Sequence, residues 1–270
     1  MNIDIERCFN YGIEKFKQNM TYYVVGFLAI VGIGIGIYII SLLFSFIWGF
    51  AVNMIGSKIH LNEMGINIIS FGGSYIISAL LWLIIIPFTV GYWKGIRKEY
   101  EGETVEITEV FSTFDIIIPC LLNCVVANLI VTAGVLLFIS PIILLAVLMH
   151  LSYTTSILII SLCSIIPSVL LLPLSFLPVF FLVKDEIQGL NALKRSLKIF
   201  MKNPILILWT NILAIFAIIG LLVCCVGILA TAPIAMCAMY KLFQQAIGED
   251  NLPPVETAPP QDDENAPLPN

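Results

Sequence analysis

The sequence predicts an all-α membrane protein, a polytopic helical bundle of about six transmembrane helices with amphipathic helices at the interface. Four stretches contain no Asp, Glu, Lys or Arg: residues 18–57, 64–93, 116–183 and 203–240. About 20 apolar residues of helix cross a hydrocarbon core of about 30 Å, and soluble cores do not leave uncharged runs of this length. Only 11% of the residues are charged, so lipid is predicted to cover most of the surface.

The first 19 residues are not predicted to be a cleaved signal peptide, because they contain three acids and no short apolar core before a small-residue cleavage site. Apolar side chains recur in this segment at intervals of three and four residues, at Ile5, Phe9, Ile13 and Phe16. That spacing predicts an amphipathic helix that leads into the first span.

The charge-free stretches divide into six predicted spans, at about residues 22–48, 75–93, 116–139, 153–183, 204–224 and 227–241. Aromatic side chains frame the first two spans, one between Tyr22 and Trp48 and the other between Tyr75 and Trp93. Because amphipathic rings prefer the membrane–water interface, we expect these four rings to lie there.

Two boundaries between spans depend on helix breakers and polar residues. Residues 116–183 are too long for one plain helix, and we divide them near Ser140 and Pro141 and around residues 150–153, because proline lacks a backbone donor. Residues 204–240 would form an unbroken helix of about 55 Å, nearly twice the hydrocarbon thickness, so we divide them around residues 225–227.

The distribution of Lys and Arg predicts the orientation of these spans. If the N-terminus is cytoplasmic, twelve of the thirteen basic residues lie in cytoplasmic segments and only Lys58 lies outside. An excess of Lys and Arg in short cytoplasmic loops is the positive-inside rule. The sequence therefore predicts an even number of spans in a bacterial cytoplasmic membrane, with both termini in the cytoplasm.

Residues 185–203 predict a second amphipathic helix, lying flat in the inner headgroup layer. Leu190, Leu193, Leu197 and Phe200 recur at helical spacing and are expected to face the acyl boundary. The rest of the helix carries the four lipid-interface candidates, which are Lys194, Arg195, Lys198 and Lys202. Basic side chains beside a span attract the anionic inner leaflet. Membrane lipids are therefore the predicted partners.

Two further segments share this theme. Residues 105–114 predict a weaker, acidic amphipathic helix. Residues 12–19 (GIEKFKQN) align with residues 196–203 (SLKIFMKN), and each leads directly into a span. An internal repeat of an interfacial helix plus a hairpin, or independent origin of two basic helices, explains this likeness.

The chain order also carries a resemblance. The segments FNYGIEKFKQN, EVFSTF, ALKRSLKIFMKNP and CCVGILATAPIAMCAMYKLF, in this order between Phe9 and Phe243, resemble a broad group of bacterial six-span membrane proteins. That group includes the membrane domain attached to some glycerophosphoryl diester phosphodiesterases. The resemblance implies the fold of that domain and not the hydrolysis, because this chain has no catalytic phosphodiesterase domain.

Glycine and cysteine patterns within the spans predict packing. Gly32, Gly34 and Gly36 follow no strand, so dinucleotide binding is not predicted; Gly32 and Gly36 are expected to let another helix approach closely. Cys120 and Cys124 lie four residues apart and so share a helical face, which the pair at 224–225 is free to approach in the fold, but a metal site needs further ligands. The two histidines, at positions 60 and 150, are both assigned to the outer side, so no metal or other cofactor is predicted.

The prolines leave two alternatives open. Pro167, Pro173 and Pro178 fall in one predicted span among several serines, and broken helices of this kind line substrate sites in transporters. They also occur as plain kinks whose freed carbonyls other side chains satisfy, which is the alternative we favour. Asn123, Asn128 and Asn211 are expected to form hydrogen bonds between helices.

Residues 249–270 form a separate region, with six acids, no base and six prolines. Such a composition predicts a disordered cytoplasmic tail, with docking of a protein partner as the alternative role.

No constellation in the sequence predicts covalent or acid–base catalysis, and none predicts a nucleic acid partner. We therefore expect a non-enzymatic integral membrane protein that organises lipid or partner proteins. The alternative is a transporter or permease for a neutral or lipid-like solute, which a cavity lined by Ser164, Ser168 and Asn123 would favour.

Overall fold

The computed structural model describes residues 3–58, 63–149, 153–223 and 226–248. These residues form ten α-helices and two short 3-10 helices, and no strand occurs among them. The α-helices are α1 (Ile5–Gln18), α2 (Met20–Lys58), α3 (Glu63–Trp82), α4 (Ile85–Tyr100), α5 (Ile117–Leu148), α6 (Tyr153–Leu171), α7 (Pro173–Asp185), α8 (Gly189–Lys202), α9 (Ile205–Val223) and α10 (Ile228–Ile247). The 3-10 helices are Ile107–Phe111 and Phe114–Ile116.

Five stretches of the described chain are long and apolar enough to cross a membrane. They are Met20–Lys58, Gly72–Tyr100, Ile107–Leu145, Leu158–Asp185 and Ile205–Leu222. The all-α fold class predicted from the sequence is confirmed. Helix α2 alone has 39 residues, or about 58 Å of helix, so it is longer than the hydrocarbon layer is thick.

The predicted break at Ser140 and Pro141 is wrong, because α5 continues through both residues to Leu148. Proline removes the bond to the carbonyl four residues earlier, which here belongs to Leu137. The Ser140 hydroxyl donates to that carbonyl at 2.9 Å, so the helix continues without leaving it unpaired. Helix α5 ends at Leu148 and α6 begins at Tyr153, and most of the predicted division at 150–153 lies outside the described residues.

Two other breaks lie within predicted spans, and one of them has a clear physical cause. The predicted span at 75–93 is interrupted by a turn at Leu83 and Ile84, between α3 and α4. The long proline-rich span is interrupted between α6 and α7, where Pro173 removes the i+4 backbone donor to the Val169 carbonyl and leaves only a long bond of 3.4 Å from the Leu172 N–H. The side-chain amide of Asn211, on α9, donates to that carbonyl at 2.9 Å.

The best-packed part of the molecule is aromatic and lies where α1, α2, α4, α7 and α10 meet. Tyr22, Tyr92 and Trp93 are 0–1% exposed there, and the Tyr22 and Tyr92 rings stack at 5.5 Å between centroids. The Trp93 ring stacks on Phe243 at 6.3 Å. The interfacial positions predicted for Tyr22 and Trp93 are therefore wrong, since both rings pack inside the protein.

Close helix approaches occur at glycines other than the predicted pair. Nothing lies within 4 Å of where a β-carbon on Gly32 or Gly36 would be, so no described element packs against them. A β-carbon on Gly91 would instead lie 2.4 Å from the Val110 carbonyl oxygen, and one on Gly12 would lie 2.5 Å from the Ile234 carbonyl oxygen. These two positions let the 3-10 segment pack on α4 and let α1 pack on α10.

The aligned segments 12–19 and 196–203 end in the same way. Helix α1 ends at Asn19 with φ −133° and ψ 50°, and α8 ends at Asn203 with φ −126° and ψ 73°. In both, the asparagine backbone N–H donates to the carbonyl four residues earlier. Each asparagine then begins a hairpin of long helices, so the local structure agrees with the sequence likeness.

Candidate functional site

The basic residues gather at one end of the bundle, which we call the basic end. It comprises α1, α8 and the C-terminal ends of α4, α7 and α10. Arg97 of α4 donates to the Val183 carbonyl of α7 at 2.6 Å. The Lys241 ammonium of α10 lies 3.5 Å from the Tyr100 hydroxyl and 5.0 Å from the centre of that ring. These contacts fix the basic end as one packed surface.

Helix α8 places the four lipid-interface candidates on the outside of the basic end. Lys194, Lys198 and Lys202 are exposed and make no hydrogen bond or ion pair with another described residue. Arg195 is different, because it donates to the Asp185 carboxylate at 2.7 Å and its guanidinium lies 4.9 Å from the centre of the Phe181 ring. Three of the four candidates therefore have cations available to an external anion.

The apolar face of α8 is divided between protein and surface. Leu193 is 5% exposed and packs within the protein, so its predicted place in the acyl boundary is wrong. Leu190 and Met201 are 64% and 77% exposed and form an apolar stripe beside the lysines, with Leu197 and Phe200 half-buried next to it. The helix therefore has a protein-facing side, an exposed apolar stripe and an exposed basic stripe.

An open groove of about 820 Å³ runs between α8 and the end of α10. Its walls include Lys194, Lys198 and Lys202 from α8, and Ala246 and Ile247 from α10. The Asn203 side chain closes one end of it by donating to the Ala246 carbonyl at 3.2 Å. A groove lined by three unpaired ammonium groups is suited to an anion.

A second, more enclosed cavity of about 300 Å³ lies between α4, the 3-10 segment at 107–116 and the end of α7. Lys94 and Arg97 line one side, and Asp115 and Glu186 supply carboxylates. The sequence did not predict this cavity. Lys94 and Arg97 were used only to predict the orientation of the spans, and nothing in the sequence indicates that Asp115 and Glu186 lie near them.

The sequence places the acids from Glu99 to Glu109 on a solvated cytoplasmic segment without a histidine partner, and for Glu99 this prediction is wrong. Its side chain is buried, with 7% of the residue exposed, and accepts a short hydrogen bond from the Tyr23 hydroxyl. Glu109, assigned to the same segment, is paired with Lys98. Nearby, burial raises the pKa of Tyr11 above its usual range, so its phenol stays neutral beside Lys241. In the sequence, the adjacent tyrosines at 22 and 23 are the feature that could have indicated a buried partner for Glu99.

Of the three asparagines predicted to form hydrogen bonds between helices, Asn123 and Asn211 do so. The prediction for Asn128 is wrong, because its amide donates to the Cys124 carbonyl of its own helix. The Asn123 amide donates to the carbonyls of Pro178 at 3.1 Å and Ile187 at 3.0 Å, and its oxygen accepts from the backbone N–H of Gly189. The Ser164 and Ser168 hydroxyls donate to carbonyls of their own helix at 2.8 and 2.7 Å. None of these three side chains lines either cavity described above.

The cysteines that the structure describes are all reduced, and Cys120 is fully buried while Cys124 is half-buried. Within the described ranges, no three His, Cys, Asp or Glu side chains come together as metal ligands. The histidines at 60 and 150, the cysteine pair at 224–225 and the acidic region at 249–270 lie outside those ranges.

The fold and this surface define an all-α bundle with five apolar helices of membrane-spanning length and a basic end. No protein-family model, curated protein or solved structure matches the chain.

Proposed function

We propose that this protein is a non-enzymatic integral membrane protein that organises lipid, and partner proteins with it, at the inner leaflet of a bacterial cytoplasmic membrane. The basic end faces the cytoplasm, and the three lysines of α8 hold anionic headgroups there. The acidic region at 249–270 follows α10 in the sequence and offers a docking segment for a protein partner.

The observation that carries the proposal is the arrangement of α8. One side of the helix is held by the protein, so its orientation is fixed without lipid. The exposed apolar stripe of Leu190 and Met201 then lies beside the exposed basic stripe of Lys194, Lys198 and Lys202. Interfacial helices bind membranes with this combination, in which apolar area enters the acyl boundary and cations meet anionic headgroups.

The side chains around the proline-broken helices support this role over transport. A transport path needs polar groups that are available to a solute. The carbonyl freed by Pro173 is taken by Asn211, and the amide of Asn123 is used by α7 and by the link to α8. These groups stabilise kinks and hold helices together, which is the arrangement expected of a bundle with a fixed surface.

The test uses purified full-length protein titrated with phosphatidylglycerol or phosphatidylcholine and read by native mass spectrometry. Changing Lys194, Lys198 and Lys202 together to Gln is expected to weaken binding of phosphatidylglycerol by up to roughly 100-fold, since each cation near an anionic surface contributes on the order of 1 kcal/mol. Added salt is expected to weaken binding to the wild type more than to the variant, because salt screens exposed charges.

The matched control changes the same three lysines to Arg, which keeps the charge and is expected to keep the preference for phosphatidylglycerol. Equal affinities of the wild-type, Gln and Arg proteins would contradict the proposal. Equal binding of the anionic and zwitterionic lipids by the wild type would also contradict it.

A further inference from the structure

The enclosed cavity beside α4 carries separated charges of both signs. Lys94 and Arg97 are three residues apart on α4, so they lie on the same helical face. Asp115 lies in the second 3-10 helix, and Glu186 is the capping residue at the C-terminal end of α7. The lining therefore combines two cations from one element with two carboxylates from two others.

Most of these charges are not used by the protein itself. Arg97 is held in place by Glu101 at 2.8 Å and by the Val183 carbonyl at 2.6 Å. The side chains of Lys94, Asp115 and Glu186 make no hydrogen bond or ion pair within the part of the chain that the structure describes. A partly enclosed cavity with unpaired groups of both signs is complementary to a ligand that also carries both signs.

The backbone at Glu186 is a second observation. Its φ of 56° and ψ of 22° are left-handed, a conformation in which glycine is the usual residue at a helix end. A side chain in this conformation costs roughly 1 kcal/mol, so backbone geometry does not explain a glutamate here. Such strain occurs where a side chain is needed for function.

The edge of the cavity is apolar and open to the surroundings. Ile116 lines the cavity and is 40% exposed, and its neighbours Phe114 and Ile118 are 44% and 74% exposed. They lie where the candidate span Ile107–Leu145 begins its long apolar run. A ligand whose charged group fills the cavity therefore has an apolar surface beside it on which acyl chains can lie.

We propose that this cavity binds a phospholipid whose headgroup is a zwitterion with a primary ammonium, as in phosphatidylethanolamine. Lys94 and Arg97 hold the phosphate, and Asp115 and Glu186 accept hydrogen bonds from the ammonium. A choline headgroup has the same net charge but no N–H donor, so the carboxylates cannot bind it in this way. The site is separate from the anionic-lipid surface of α8 and does not depend on it.

The test titrates delipidated full-length protein in detergent with phosphatidylethanolamine and phosphatidylcholine of identical acyl chains, again read by native mass spectrometry. The wild type is expected to bind phosphatidylethanolamine more tightly by roughly tenfold or more, the usual effect of losing hydrogen bonds to charged groups. Lys94→Gln is expected to weaken binding of both lipids. Lys58→Gln, the same change at an exposed lysine outside both cavities, is expected to leave both unchanged.

Glu186→Gly separates binding from folding. Glycine relieves the left-handed backbone, so this variant is expected to unfold at an equal or higher temperature while losing most of the preference for phosphatidylethanolamine. Equal affinity of the wild type for the two lipids would overturn the proposal, as would equal losses from Lys94→Gln and Lys58→Gln. Soluble glycerophosphoethanolamine, which has the headgroup without acyl chains, is expected not to compete. Competition at the same concentration as the lipid would contradict the proposal that the ligand is a membrane lipid.

Discussion

Gly91 shows how a single hydrogen atom decides the packing of the basic end. Three backbone atoms of Glu109 and Val110 lie 2.4 to 2.7 Å from where its β-carbon would be. Backbone atoms cannot move aside as the end of a flexible side chain can. The contact between α4 and the 3-10 helix Ile107–Phe111, including the pair of Lys98 with Glu109, therefore depends on glycine at this position.

Gly91→Ala is expected to destabilise the protein by about 1 to 3 kcal/mol, the usual effect of overpacking. Gly32→Ala is the matched control, because nothing lies within 4 Å of its added carbon. Alanine is also the better helix former, so this variant is expected to be as stable as the wild type or more stable. Unfolding in mixed detergent micelles measures both, and equal destabilisation would contradict the assigned contact.

The sequence pattern could not distinguish these glycines. Gly32 and Gly36 have the spacing typical of close helix contacts, and Gly91 and Gly95 have the same spacing. Lipid and protein interior are similarly apolar, so hydropathy does not show which face of a helix contacts lipid and which packs against protein. Leu193, Tyr22 and Trp93 were assigned to the membrane boundary for the same reason, and the structure buries all three.

Among the helices, the junction of α6 and α7 depends on a contact from outside both. Pro173 leaves the Val169 carbonyl without its usual donor, and Asn211 of α9 supplies one at 2.9 Å. The same amide also donates to the Ile207 carbonyl of its own helix at 2.7 Å. The break in one helix and the position of a distant helix are thus stabilised by one side chain.

A double-mutant cycle tests this coupling. Asn211→Leu alone is expected to destabilise the fold by about 0.5 to 2 kcal/mol, the range for hydrogen bonds between membrane helices. In a Pro173→Ala background the carbonyl regains a helical donor, so the same change is expected to have a smaller effect. Asn128→Leu serves as control, because its amide donates only within its own helix. Additive effects of Asn211→Leu and Pro173→Ala would contradict the contact.

The sequence predicted the positions of most helices, but it did not predict that α5 continues through a proline. The structure begins α10 at Ile228, next to the predicted break at 225–227, and α8 occupies Gly189–Lys202 within the predicted 185–203. Local patterns predicted both helices. The start of α10 follows a glycine in an apolar run that is too long for one crossing, and α8 has an apolar repeat at helical spacing. Continuation through Pro141 depends on the rotamer of Ser140, which residue types alone do not give.

Across the whole molecule, contacts at the basic end join distant parts of the chain. The backbone N–H of Asp4 donates to the Gln245 side chain at 2.9 Å, and the Asn203 side chain donates to the Ala246 carbonyl. The start of α1, the start of α9 and the end of α10 are therefore neighbours. This geometry favours an even number of crossings, although hydropathy alone selects five helices.

Single cysteines in a cysteine-free background are expected to report this topology. A membrane-impermeant maleimide applied to intact cells is expected to label a cysteine at Ser57 but not one at Glu103 or Asn251. The last two are expected to react only after the cells are opened. Labelling of Asn251 from outside would show that α10 does not cross, and would contradict the predicted cytoplasmic position of both termini.

The contact of Asp4 with Gln245 also has a consequence for biosynthesis, because 241 residues separate the two. Helix α1 buries Cys8, Gly12 and Phe16, and Gly12 packs against α10. When α1 leaves the ribosome, the helix that covers this face has not yet been translated. The early helix must wait at the membrane surface through the insertion of every intervening span. A chain that stops before α10 leaves that face of α1 without the helix that covers it.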